Sequence, residues 1–113
     1  MDIFGQTSDG EAVQIAEIAG GGLTARIMSW GAAVQDLRLK GHDAPLVLGF
    51  QEFADYPAHS ADFGSNPGRN VNRIRDGALV IDGRTYALEK NFRGRHTLDG
   101  GSKGIGRAVA QKA

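Results

Sequence analysis

Ala78-Leu79-Val80-Ile81-Asp82-Gly83-Arg84-Thr85-Tyr86-Ala87-Leu88 reads as two short strands on either side of Asp82-Gly83. A two-residue connection between antiparallel strands needs φ above zero at both central positions, and Asp-Gly meets that demand at low steric cost. The stretch therefore predicts a hairpin, with strands over 78–82 and 84–88. Towards the N-terminus the apolar residues keep the same period of two: Val13 and Ile15, then Leu23, Ala25 and Ile27, then Leu37 and Leu39 with Arg38 between them. That alternation predicts three more half-buried strands, broken at Gly20-Gly21-Gly22 and at Gly31. A fourth apolar run, Leu46-Val47-Leu48, ends at Gly49 and leads into Gln51 to Asp62, a polar and aromatic stretch with neither period, read as a long surface loop. Towards the C-terminus the composition shifts at Asn91. The remainder is basic and glycine-rich, and only Arg107 to Ala113 has a helical pattern. A helix so short needs tertiary packing to persist.

The composition agrees with a mainly β chain of turns and short strands. Seventeen glycines among 113 residues, with 7% aromatic residues, favour many tight connections over long helices. A chain of this length forms one small domain and buries only about two-thirds of its unfolded surface. Thirteen Lys and Arg balance thirteen Asp and Glu, so no net field draws the chain to nucleic acid or an anionic membrane, and a small neutral partner fits better. Cysteine is absent, which excludes disulfides, thiolate nucleophiles and cysteine-held zinc. No metal or cofactor is expected. The N-terminus lacks a basic-then-apolar leader and no window reaches the ~18 apolar residues of a membrane span, so the expected location is the cytoplasm.

The densest polar cluster is Gly68-Arg69-Asn70-Val71-Asn72-Arg73-Ile74-Arg75-Asp76-Gly77, just ahead of the hairpin. Guanidinium forks donate, and amides both donate and accept, which suits a sugar ring whose hydroxyls do both. The alternative is structural: these residues cap a loop and pair with Asp62 or Asp76. Several motifs follow in order: Phe63-Gly64, Gly68-Arg69, Asn72-Arg73-Ile74, Gly77, Ile81-Asp82-Gly83 with Tyr86 and Leu88, Asn91, His96-Thr97-Leu98 and Gly100-Gly101. In this order and spacing the chain resembles the aldose 1-epimerase (galactose mutarotase) family over roughly residues 1 to 106, most specifically 63 to 101. Phe4-Gly5, Asp9-Gly10, Gly31-Ala32, Leu48-Gly49-Phe50 and Tyr56 agree with it.

The resemblance implies an antiparallel β-sandwich of the galactose mutarotase type, of which this chain is the first third. It implies a partial β domain over 1–98, followed by a glycine-rich loop and short helical tail over 99–113. The family reaction interconverts the α and β anomers of aldoses. By the resemblance Asn72 and Arg73 contact the hexose, a galactose or glucose type of sugar. The family's sugar-holding Leu-His-Gly-Gly reads Leu98-Asp99-Gly100-Gly101 here, so a donor has become a group that, when ionised, only accepts. Asp99 accepting from sugar hydroxyls and His96 standing in as donor are the substitutes; the alternative for His96 is a loop histidine without a role. The family's general acid His and general base Glu lie beyond the last residue of this chain. His42, His59, Glu11, Glu17, Glu52 and Glu89 read as solvated surface residues, and no catalytic residue is assigned.

Gly100-Gly101-Ser102-Lys103-Gly104-Ile105-Gly106 also resembles the cofactor loop of short-chain dehydrogenases, although no βαβ unit surrounds it and Asp99 would repel a phosphate. Nicotinamide binding is not expected. Tyr86 and Lys90 have the spacing of that family's Tyr-x-x-x-Lys but on the wrong side of the loop. The main expectation is a hexose-binding fragment that is inactive alone. The alternatives are an epimerase completed by a partner chain, and a non-enzymatic β module that self-associates through unpaired edges.

Overall fold

The computed structural model describes residues 1–60 and 62–110. The chain divides into two compact units, Met1–Asn66 with Gly106–Ala113, and Pro67–Ile105. Both are antiparallel β structures.

In the first unit, β1 (Asp2–Gln6), β2 (Ala12–Gly20), β3 (Leu23–Met28) and β4 (Val34–Leu39) form a meander in the order β1-β2-β3-β4. The last three are the strands that the alternation predicts. β1 escapes it because the register slips between Ile3 and Gly5 and breaks the period of two. A second slip between Arg26 and Ile27 leaves Gln35 opposite no residue of β3. Gln35 turns inward there, 3% exposed, and donates from Nε2 to the Phe50 carbonyl at 2.8 Å.

The core of this unit is Val13, Met28, Trp30, Ala33, Phe53 and Tyr56, with Phe4, Phe50, Phe63 and Val109 packed around it. Here the sequence expectation needs correction. The stretch from Gln51 to Asp62 is not a surface loop: it carries the short helix α1 (Asp55–His59) and supplies Phe53 and fully buried Tyr56 to the core. Trp30 meets Phe53 edge-on at 5.5 Å, and Phe50 meets Tyr56 at 5.1 Å, so rings from a short aperiodic segment close the sheet face. The Phe50 N–H donates to the Tyr56 hydroxyl at 3.1 Å, and burial pushes that phenol above its ordinary pKa. The run Leu46 to Leu48 forms no strand, and Leu48 is 70% exposed.

The expected helical tail is also corrected. Ile105–Arg107 is a single 3₁₀ turn, and the chain then runs beside Trp30. The Gly31 N–H donates to the Ala108 carbonyl and the Ala110 N–H to the Ser29 carbonyl, both at 2.7 Å. Backbone groups that a few residues could not satisfy within an isolated helix find sheet-like partners instead. Residues 111–113 of the expected helix lie outside the described residues.

In the second unit, β6 (Ala78–Ile81) and β7 (Arg84–Ala87) form the predicted hairpin, with Ile81 opposite Arg84. Asp82 and Gly83 sit at φ 50 and 75, the two left-handed positions of the expected turn. β5 (Arg73–Ile74) and β8 (Thr97–Leu98) form a second, shorter antiparallel pair.

Candidate functional site

The β5–β8 pair gathers the candidate residues. Asn72 precedes β5 at φ 67 and Asp99 follows β8 at φ 48, so each leaves the ladder through a left-handed residue. The two clasp one another: the Asp99 N–H donates to the Asn72 carbonyl at 2.9 Å, and the Asn72 N–H donates to Asp99 Oδ1 at 2.7 Å. Left-handed geometry is disfavoured for residues with side chains, and Asn and Asp tolerate it best. The clasp therefore places Asp99 as a lock on the backbone of Asn72.

Arg73 is oriented from two sides. Its Nη1 donates to Asn72 Oδ1 at 2.7 Å, and its guanidinium lies over the Phe92 ring at 4.5 Å. Asn91 holds the opposite strand like a third ladder member, donating from Nδ2 to the Leu98 carbonyl at 2.9 Å and accepting the Leu98 N–H at 2.8 Å. Thr97, buried, donates its hydroxyl to the Glu89 carbonyl at 2.8 Å. Asn72, Arg73 and Asp99 are thus brought together.

His96 belongs to a different contact. Its Nδ1 accepts the Asp76 N–H at 2.9 Å, which in the neutral ring leaves the proton on Nε2 as the group available for donation. Asp76 is also held by Arg95, whose Nε lies 2.8 Å from Oδ1. That hydrogen bond keeps the Asp76 carboxyl below the ordinary aspartate range. Asp76 is therefore paired, but with Arg95 from outside the 68–77 cluster and not with one of the cluster's own arginines.

Glu89, read from sequence as solvated, has a partner. Its two carboxylate oxygens accept the Ser102 N–H at 2.7 Å and the Ser102 hydroxyl at 2.6 Å, and these bonds hold its pKa below the usual glutamate value. The loop must pass closely for this to happen. A Cβ on Gly101 would stand 2.5 Å from Glu89 Oε2 and push the carboxylate off Ser102, and the residue sits at φ 93, a conformation that favours glycine. The sequence also passed over Phe92 and Arg93, whose guanidinium lies 5.0 Å from the Phe92 centroid.

A readable signal for this region is the distribution of charge. Residues 67–105 carry eight Lys and Arg against four Asp and Glu, a net +4, while the rest of the chain carries five against nine, a net −4. The overall balance conceals this segregation.

With the geometry in place, comparison with known proteins gives the class. A profile of the family described as Aldose 1-epimerase matches residues 14–110, and the chain belongs to that family. It is 33% identical to galactose mutarotase of Mus musculus over 111 residues, covering 95% of this chain and 32% of that protein. It is 37% identical to galactose mutarotase of Bos taurus over 90 residues, covering 77% of this chain and 26% of that one. Its fold matches the crystal structure of a GalM/aldose epimerase homologue from C. elegans with a TM-score of 0.76 and 33% identity, over 90% of this chain and 33% of that chain. The chain spans about a third or less of these relatives' length. The mainly β, galactose mutarotase-like fold expected from sequence is thereby established.

The likeness to the dehydrogenase cofactor loop is not supported. The epimerase match runs through the glycine run, which folds as turns ahead of a three-residue 3₁₀ segment instead of joining a strand to a helix. No helix among the described residues is long and apolar enough to cross a membrane.

Proposed function

We propose that the chain is a carbohydrate-binding unit of aldose 1-epimerase type, with Asn72 and Arg73 as its principal hexose contacts. One observation carries the reading: within the matched family segment, Asn72 is locked by Asp99 at the end of the β5–β8 ladder, and Arg73, the first residue of β5, is held by Asn72 and braced on Phe92. A pre-oriented Arg–Asn pair loses little side-chain freedom on binding a polyol, and preorganisation of this kind raises affinity without adding contacts. Asp99 supplies an acceptor beside this pair, and His96, whose Nδ1 accepts the Asp76 N–H in a separate contact, offers a donor at Nε2.

Anomer interconversion needs a base to take the anomeric hydroxyl proton and an acid to protonate the ring oxygen, both within hydrogen-bond reach. The residues named here bind and orient; none is assigned either proton-transfer role. The fragment is accordingly proposed to bind sugar without accelerating anomer exchange on its own. The test is a two-dimensional amide spectrum of the labelled chain titrated with galactose and glucose, alongside a polarimetric anomerisation assay. Saturable shifts at Asn72, Arg73 and Asp99 without rate acceleration support the reading. Acceleration by the chain alone overturns the inactive assignment.

A second reading has its own support. Val80 and Ile81 on β6 and Tyr86 on β7 are 65%, 54% and 40% exposed, and a two-stranded hairpin is marginal in water without something packed on it. Self-association through this apolar hairpin is proposed. Sedimentation of the wild-type chain and of Val80→Lys across a concentration series tests it; a monodisperse wild-type monomer at high concentration counts against it.

A further inference from the structure

We propose that His96 is a pH-operated latch on the turn from which the β6–β7 hairpin hangs: the neutral ring holds the Asp76 N–H, and the protonated ring releases it and turns to the Asp76 carboxylate. The turn is Arg75–Gly77, and two of its residues are left-handed, Asp76 at φ 55 and Gly77 at φ 61. A left-handed aspartate persists at a cost in backbone energy, so the bonds that hold it decide whether the turn keeps its shape. Its N–H donates to His96 Nδ1 at 2.9 Å.

Both sides of the latch are fixed by backbone bonds. On the side of the ring, the Phe92 N–H donates to the His96 carbonyl at 2.9 Å and the His96 N–H to the Phe92 carbonyl at 3.0 Å, so a closed turn carries the imidazole. On the other side the turn grips both ends of the hairpin: the Ala78 N–H donates to the Arg75 carbonyl, and the Leu88 N–H to the Gly77 carbonyl at 2.7 Å. Gly77 is buried there, and a Cβ on it would stand 2.9 Å from Lys90 Cγ and 3.1 Å from the Leu88 carbonyl oxygen. A change in the Asp76 bond is therefore passed to the base of the hairpin.

A ring nitrogen accepts an N–H only while it keeps its lone pair. Protonation makes both ring nitrogens donors, so two donors then face each other and the bond is lost. Histidine is the side chain that makes this change between about pH 5 and 8. A replacement acceptor is close by, since Asp76 Oδ1 lies 4.0 Å from the same Nδ1. That oxygen already accepts from Arg95 Nε at 2.8 Å, so imidazolium and guanidinium contest it. The remaining charged groups around the contact are Arg75 on the turn, Arg93, which lies over Phe92, and Glu89 and Lys90 on the segment behind Gly77, where Glu89 is occupied by Ser102. The Asp76 carboxylate favours the protonated ring, and the arginines oppose it.

The experiment is a pH series on the whole nitrogen-labelled chain, reading the His96 ring nitrogens and the amides by NMR. At the alkaline end the ring should carry its proton on Nε2, and a scalar coupling across the hydrogen bond should join Nδ1 to the Asp76 amide nitrogen. As the ring protonates the coupling should vanish, protection of the Asp76 amide should fall about fivefold, and the amides of Asp76, Gly77 and Leu88 should move with the midpoint of the ring. His96→Asn, which offers a side-chain acceptor without a titrating charge, should hold those amides still through the same range. Arg95→Gln frees the carboxylate and should move the transition to higher pH, while Asp76→Asn removes it and should move the transition to lower pH. A neutral ring protonated at Nδ1, absence of the coupling at the alkaline end, or amides that move only below about pH 4, where carboxylates titrate, overturns the latch. So does a transition that survives in a dispersed spectrum of His96→Asn; should that variant not fold, the wild-type coupling decides alone. A transition that neither Arg95→Gln nor Asp76→Asn displaces overturns the exchange onto the carboxylate.

Discussion

The unit formed by 1–66 with 106–113 and the unit 67–105 are built on different physical principles. The first hides Trp30, Phe53, Tyr56 and Met28 behind a four-stranded sheet and is net acidic. The second is net basic, and its fully shielded side chain beyond glycine is Thr97, a polar one. It relies on hydrogen-bonded clips: Asn91 on Leu98, Asp99 on Asn72, Glu89 on Ser102. A burial-driven unit tolerates loss of a surface hydrogen bond but not of a ring. A clip-driven unit has little apolar burial in reserve, and its exposed polar groups are the ones available to a ligand.

The largest effect should come from the aromatic core. Tyr56→Ala removes a fully buried ring and should destabilise the first unit by about 3–5 kcal/mol, measured by urea unfolding followed through Trp30 fluorescence. A loss below about 1 kcal/mol would break the contrast, because it would mean that the ring is not part of a close-packed core. Next comes Asn91→Ala, which deletes both side-chain bonds to Leu98 and should cost about 1–2 kcal/mol, with faster amide exchange at Leu98. Unchanged exchange there would show that the β5–β8 ladder does not depend on its clip. Gly83→Ala should cost about 1 kcal/mol and loosen the hairpin, because alanine resists the φ of 75 that the turn requires.

The smallest effect is that of acid. Asp76 and Glu89 both have folded-state pKa values lowered by their partners, Arg95 and Ser102. Their contribution is present above the unfolded carboxylate values and is lost as pH falls through the lowered folded values. Stability of the second unit should therefore decline on acidification below about pH 4, the ordinary range of these carboxylates. Glu89→Gln should flatten part of that decline in a pH series of Ser102 amide shifts. A Ser102 amide indifferent to pH in the wild type would rule out the Glu89 contact.

The hairpin was legible because its determinant is local: Asp82-Gly83 states its own turn, and alternating neighbours state the strands. β2, β3 and β4 were legible for the same reason, while β1 was hidden by its bulge at Phe4, and α1, with Tyr56 in it and Phe53 ahead of it, by a segment too short to display a period. Asn72 and Arg73 stood out through motif order, and their gathering with Asp99 follows from the β5–β8 register. The direction of the Asp99 contact did not. Whether its carboxylate faces a ligand or the Asn72 N–H depends on two left-handed residues 27 positions apart, and no periodicity encodes that. The helix expected from Arg107 is absent over the described residues because so short a segment takes its structure from its partners, here the backbone of Ser29 and Gly31.

The central claim, that the unit 67–105 presents a pre-locked sugar site, is tested most directly by the amide titration with galactose. Galactose should produce saturable shifts at Asn72, Arg73 and Asp99 in a dispersed spectrum, lost in Arg73→Ala while the dispersion remains. Dispersed peaks that stay in place at those three residues up to high millimolar sugar would contradict it.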